Sequence, residues 1–185
     1  MTERIIIAGF GGQGIILAGK LLAYGGMVED KYVSHIPSYG AEMRGGTANC
    51  AVIISSREVA SPLVPHPSTL IVMNEPSLIK FERTVNPGGN IFVNRSLIGR
   101  RVARDDVHVY YIPANNIAEE AGSSRASNMV MVGAFITVTG IVSAEVVKDS
   151  LDKVVSKRNI KYNDINREAI DRACEYIREE RSILK

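Results

Sequence analysis

The glycine string near the start is the first place where residue type and spacing could do chemistry. Gly9-x-Gly11-x-x-Gly14 follows a short apolar run and opens a helix-forming stretch. Glycines so placed allow a tight turn and close backbone approach to a phosphate, with amide donors at a helix N-terminus. Gly9, Gly11, Gly12, Gln13 and Gly14 are therefore candidate cofactor-binding residues; the alternative is that the glycines only let the helix pack tightly on a sheet. A dinucleotide site also calls for an acidic residue about 20 positions on, at the end of the second strand. Glu29 and Asp30 fall near that count but precede the second strand, which weakens nicotinamide redox chemistry. The overlapping string Gly14-Ile15-Ile16-Leu17-Ala18-Gly19-Lys20 spells most of a P-loop, but Leu21 stands where Ser or Thr would ligate magnesium. We read it as a coincidence within an apolar helix.

The stretch from Pro37 to Thr47 is the second candidate. It sets Tyr39, Glu42 and Arg44 among the turn formers Pro37, Gly40, Gly45 and Gly46, between Ser38 and Thr47. It should leave the C-terminal end of the second strand beside the glycine turn, the edge where open α/β sheets bind ligands. Ser38, Tyr39, Glu42, Arg44 and Thr47 are thus a substrate or interface loop. No catalytic residue and no metal ligand is assigned. His35, His66 and His108 lack metal-ligand spacing, and no Gly-x-Ser-x-Gly elbow occurs. Cys50 and Cys174 are too few for a four-thiolate zinc or iron–sulfur site and fit a reducing compartment. The pair Glu119-Glu120 is placed near a helix start, where it favours the dipole.

Strands and helices must hold these groups in place. Residues 4–8 read as a strand buried on both faces, 15–23 as a helix, 32–36 as a second strand, and 51–54 as an apolar run. After a proline-rich connection, 69–73 reads as a strand and Glu75-Pro76 opens a short helix. Strands follow at 91–93 and 107–112, and beyond Ala114 the chain reads as helical. The apolar run 129–142 is shorter than the roughly 20 residues that span a bilayer, so it is a buried helix. Ser143 caps a helix over 144–157, and 165–177 is amphipathic. This order predicts an α/β protein, one Rossmann-like domain over 1–185 with a mostly parallel sheet. Its core spans about 1–142, and C-terminal helices fill about 143–185. Gly133, Thr137 and Gly140 share one helix face and permit close packing against a neighbour.

Twenty-two basic and 20 acidic residues leave a net charge of +2 and are well mixed, so nucleic acid is not expected as a partner. Neither a signal segment nor a membrane span is expected, which points to the cytoplasm.

Taken together, Gly9-Phe10-Gly11-Gly12-Gln13-Gly14 and the string from Ile36-Pro37-Ser38 through Gly45-Gly46-Thr47-Ala48 resemble the gamma subunit of the 2-oxoacid:ferredoxin oxidoreductases. The likeness continues through Ile112-Pro113-Ala114-Asn115 and Asn128-Met129-Val130-Met131-Val132-Gly133-Ala134. Within that family it looks closest to the 2-oxoglutarate type, with pyruvate, branched-chain and indolepyruvate types open. The resemblance implies oxidative decarboxylation of a 2-oxoacid to acyl-CoA, carbon dioxide and reduced ferredoxin. It places thiamine diphosphate and magnesium in the alpha and beta subunits, and iron–sulfur clusters in the beta and delta subunits. It leaves this chain without a cofactor of its own, packed beside the thiamine-binding subunits and lining the path for coenzyme A. The competing reading is a stand-alone nucleotide-binding Rossmann-like oxidoreductase.

Overall fold

The computed structural model describes residues 1–38 and 47–183. Among them, strands β1 (Thr2–Phe10), β2 (Tyr32–Ser38), β3 (Thr47–Ser55), β4 (Thr69–Val72), β5 (Asn90–Asn94) and β6 (His108–Ile112) form one sheet, ordered β2-β3-β1-β4-β5-β6. The neighbours β1, β4, β5 and β6 run parallel, while β3 lies antiparallel between β1 and β2. The sheet is therefore mostly parallel, as expected, with a reversed strand wedged beside β1. Helices are α1 (Ile15–Val28), α2 (Glu75–Phe81), α3 (Ala114–Glu120), α4 (Ser127–Thr139), α5 (Ala144–Val154) and α6 (Asn163–Ile183).

The continuous apolar run of β1 follows from burial on both faces, because alternate side chains point to opposite sides. Ile5 and Ile7 join Val52, Ile71 and Phe92 under α1 and α4, whose Leu21, Leu22, Met129 and Phe135 are buried with them. Ile6 and Ala8 join Leu70, Val72, Ile91 and Val93 on the other face, closed by Leu78 of α2 with Val85 and Ile98. Phe135 meets Phe92 edge-on at 6.0 Å. The C-terminal helices share this core: Val147 and Leu151 of α5 and Ala169, Ile170 and Ala173 of α6 belong to the first cluster.

Four local readings need correction. The buried apolar helix stops at Thr139 rather than 142, because Gly140 turns left-handed at φ 62° and caps it. Ser143 Oγ does accept the Val146 N–H at 3.3 Å, but the helix that it caps ends at Val154, where Val155 turns extended. Glu119 and Glu120 close α3 instead of opening a helix, and Glu120 lies 3.4 Å from Arg172 of α6. Finally, β2 runs two residues past Ile36 and includes Pro37, which the sheet tolerates because β2 is an edge strand.

Candidate functional site

The turn after β1 sits at the C-terminal edge of the parallel strands. Gly9 is still inside the sheet: a Cβ there would meet Gln13 Oε1 at 2.6 Å and both Ile15 Cδ1 and Met73 Cβ at 2.8 Å. The Gln13 amide braces the turn, accepting the Phe10 N–H at 2.6 Å and donating to the Met73 carbonyl at 3.1 Å. It thereby ties the end of β1 to the end of β4. Gly12 and Gly14 adopt φ 91° and 73°, a left-handed backbone that only glycine reaches at low cost. Gly14 also receives Asn128 Nδ2 on its carbonyl at 3.1 Å, which locks the start of α1 to the start of α4. Gly11 and Gly12 are exposed.

Of the second candidate set, Ser38 is exposed at the end of β2 and pairs in register with Asn49. Thr47 opens β3 opposite Phe10. Both ends of the connection therefore reach the edge that carries the glycine turn. Tyr39, Glu42 and Arg44 lie outside the described residues. Glu29 and Asp30 precede β2, and Glu29 is already committed: it accepts the Ser143 N–H at 2.7 Å and pairs with Lys31 at 2.6 Å. Burial works to raise its pKa, but Lys31 and Ser143 overcome it and hold the carboxylate below the usual range. Glu29 thus clamps α1 to the start of α5 and is not a ribose anchor.

Beside the turn lies a cleft of about 180 Å³, bounded by Gly12, Gly14, Arg125, Asn128, Tyr162 and Asn166. A second hollow of about 240 Å³ shares Arg125 and Tyr162 with it and adds Arg158 and Lys161. These polar and cationic residues were not singled out from the sequence. One signal was available in Arg125, a cation placed just before α4, where the helix dipole disfavours positive charge. Asn128 lies at the start of α4, and Arg158, Lys161, Tyr162 and Asn166 come from the α5–α6 junction and the start of α6, which only folding brings to the glycine turn. The arrangement can hold an anion: guanidinium and ammonium groups stand near a tight turn, and among the described residues no acidic side chain lines either hollow.

The cysteines offer no nucleophile or ligand set. Cys50 is buried and donates to the Ile15 carbonyl at 3.6 Å, and burial pushes its thiol up to about 12. Cys174 is buried between α6 and α4 and donates to the Gly133 carbonyl at 3.8 Å. Among the described residues no group of three or more His, Cys, Asp or Glu could hold a metal ion. No helix among them is long and apolar enough to cross a membrane.

His35 gives a pH prediction. Its Nε2 is buried without a partner, and burial first, then the Lys20 charge, lower its pKa. The fold therefore favours the neutral ring, and the unfolded chain binds a proton more readily. Stability should fall as pH drops below about 6.5, the ordinary histidine value. Thermal melts of the chain between pH 7.5 and 5.5 (roughly one unit either side of that value) should show this loss, and His35→Gln should flatten it. An unchanged profile in the variant would remove His35 as the cause.

The family described as pyruvate ferredoxin/flavodoxin oxidoreductase matches residues 4–176. The chain is 34% identical over 181 residues to 2-oxoglutarate synthase subunit KorC of Methanothermobacter marburgensis, covering 92% of this chain and 97% of that one. It is 34% identical over 177 residues to ketoisovalerate oxidoreductase subunit VorA of the same organism, covering 95% of this chain but spanning only 36% of VorA. Among solved structures, the gamma subunit of a keto/oxoacid ferredoxin oxidoreductase from Geobacter sulfurreducens PCA superimposes with TM-score 0.80 at 26% identity. That match covers 96% of this chain and 99% of the other.

Proposed function

The chain belongs to the pyruvate ferredoxin/flavodoxin oxidoreductase family, and on that premise we propose that it is the gamma subunit of a 2-oxoacid:ferredoxin oxidoreductase. The assembly converts 2-oxoglutarate, with coenzyme A, to acyl-CoA, carbon dioxide and reduced ferredoxin in the cytoplasm. The near full-length likeness to a KorC subunit carries this reading. Alpha and beta subunits are its partners, with a ferredoxin-like delta subunit beside them. Thiamine diphosphate, with magnesium in the partner subunits, would supply the electron sink for the decarboxylation. Iron–sulfur clusters belong to the partners too, because two separately buried thiols on this chain do not fit a cluster.

This chain's own part is to bind and to position. The exposed turn at Gly11 and Gly12, with the cationic cleft beside it, suits a phosphate-bearing end of coenzyme A. Gly9, Gln13 and Gly14 act behind it by holding the turn between β1, β4 and α4. Ser38 and Thr47 reach the same edge, and we assign Tyr39, Glu42 and Arg44 between them to contact with substrate or a neighbouring subunit. A stand-alone nucleotide-binding oxidoreductase would have the same glycine turn, but the carboxylate at the expected count, Glu29, is committed to Ser143 and Lys31.

The test is to purify the chain alone and together with its native neighbours. The assembled complex should reduce a viologen dye with 2-oxoglutarate, and the lone chain should turn over no 2-oxoacid. Activity of the lone chain, or failure to co-purify with thiamine-containing subunits, would overturn the reading. Arg44 sharpens it. A charge-assisted hydrogen bond contributes about 1.5–3 kcal/mol, so Arg44→Ala should lower the specificity constant for 2-oxoglutarate or coenzyme A roughly tenfold or more. Loss of assembly instead would assign Arg44 to the interface, and no change in either would make it a surface charge.

A further inference from the structure

We propose that the open edge of β6, together with the arginines of the β5–β6 connection, takes up an extended acidic segment of a neighbouring subunit. The inference rests on the chain being one subunit of a larger assembly. β6 is the last strand of the sheet and pairs only with β5 among the described residues. At its start the His108 N–H donates to the Gly89 carbonyl at 2.8 Å, and at its end the Ile112 carbonyl accepts the Arg95 N–H at 2.8 Å. Bonding residues alternate along a parallel strand, so Val109 and Tyr111 turn their N–H and C=O groups away from β5. Neither has a backbone partner on that side among the described residues. Such an edge invites strand addition unless it is covered or guarded by charge.

The connection carries Asp105 and Asp106 near the start of β6, Asp106 paired with Arg104 at 2.6 Å, but the charges that line the hollow beside the strand have one sign. The connection leaves β5 at Arg95 and crosses the outer face, where Ile98 is buried, before it returns to β6. Arg95, Arg100, Arg101, Ile98, Gly99 and Tyr111 line a hollow of about 440 Å³ against the strand. Arg100 has a distant partner in the buried Glu82, at 3.6 Å; Arg95 and Arg101 form no ion pair among the described residues. Tyr111 accepts the Val102 N–H on its hydroxyl at 3.0 Å, which leaves its own proton to donate. Among the described residues every polar side chain that lines the hollow has a proton to donate, so the occupant must bring acceptors.

Carboxylates and phosphates both qualify as acceptors, but the strand edge selects a polypeptide. The outward carbonyls of Val109 and Tyr111 need N–H donors, which a phosphate lacks and an extended backbone supplies at the right repeat. Leu97 of the same connection, 49% exposed, adds apolar surface. Arginine and tyrosine around an apolar spot are the composition of protein interface anchors.

Hydrogen exchange on the free chain and on the assembled complex tests this. The amides of Val109 and Tyr111 should exchange fast in the free chain and slowly in the complex. The double variant R95E/R101E should associate at least about tenfold more weakly, and R95K/R101K should associate nearly as well as the parent. Melting of each free variant checks the fold; if the reversed pair melts early, R95Q/R101Q takes its place and should still weaken association. Equal exchange of the β6 amides in both states, or unimpaired assembly of the charge-reversed or neutral pair, would overturn the proposal. So would inorganic pyrophosphate raising the melting temperature through Arg95 and Arg101 while β6 stays unprotected in the complex. A parent chain that never assembles would overturn the subunit reading and this proposal together, whereas assembly with an unprotected β6 overturns this one alone.

Discussion

Gly133→Val should destabilise the chain by about 3 kcal/mol, seen as a melting temperature lower by roughly 6–12 °C. Gly133 lies in α4 where α6 crosses it, and a Cβ there would meet the Ile170 carbonyl oxygen at 2.7 Å, Ala173 Cβ at 2.9 Å and Ile170 Cα at 3.1 Å. These are backbone and near-backbone atoms, so no flexible side chain can swing aside. The helices must part, and the buried contacts of Ala169, Ile170 and Ala173 with α4 would loosen. Alanine offers a finer measurement. It gains about 1 kcal/mol of helix propensity over glycine, yet its Cβ meets the same atoms, so Gly133→Ala should still be net destabilising. Adding Ala173→Gly should recover only part of the loss, because the Ile170 contacts remain. A neutral or stabilising Gly133→Ala would show that α6 can move away cheaply.

Gly14→Val should cost about 2–4 kcal/mol and shift melting in the same direction. Two causes add. The backbone at φ 73° is strained for any side chain and more so for a branched one. The added carbon would also press on the Asn128 side chain, whose Cγ would lie at 2.9 Å, and so break the bond from Nδ2 to the Gly14 carbonyl. A cycle with Asn128→Ala separates the two. With Asn128 shortened, Gly14→Ala should cost only the backbone strain, about 1–2 kcal/mol. Gly12→Ala is the control, since it is left-handed as well but has nothing within 4 Å. It should cost no more than that strain. In the assembled complex Gly14→Val should also impair coenzyme A use, because the turn and the cleft share this residue. Unchanged melting would mean that the turn relaxes into another conformation.

Both glycines sit in stretches that were readable from the sequence, but for different reasons. The turn at Gly9–Gly14 is local: a run of β-branched residues, closely spaced glycines and a helix-forming segment are all contiguous, so its conformation is encoded within a few residues. The buried character of α4 was readable in the same way, from an apolar run too short for a membrane. That Gly133 permits a close approach was also legible, though the partner was not. α6 lies about 40 residues further along the chain, and only chain folding shows that it is the neighbour.

Sequence by itself determined the alternation of strands and helices, the mostly parallel α/β class, the Ser143 cap and the glycine turn, because each depends on periodicity or on side-chain-to-backbone chemistry over a few positions. It could not show that β3 would insert antiparallel between β1 and β2, since strand partners are chosen by long-range pairing and burial rather than by local propensity. Nor could it show that Gln13 bridges to Met73, that Glu29 closes on Ser143, or that Asn128 locks the turn. The cleft is the clearest case. Arg125 and Asn128 come from the start of α4, Tyr162 and Asn166 from the start of α6, and Gly12 and Gly14 from the turn after β1. Each is unremarkable in its own segment, and the cleft exists only because burying the apolar faces of α1, α4 and α6 in one core brings those three helix starts to the same edge of the sheet.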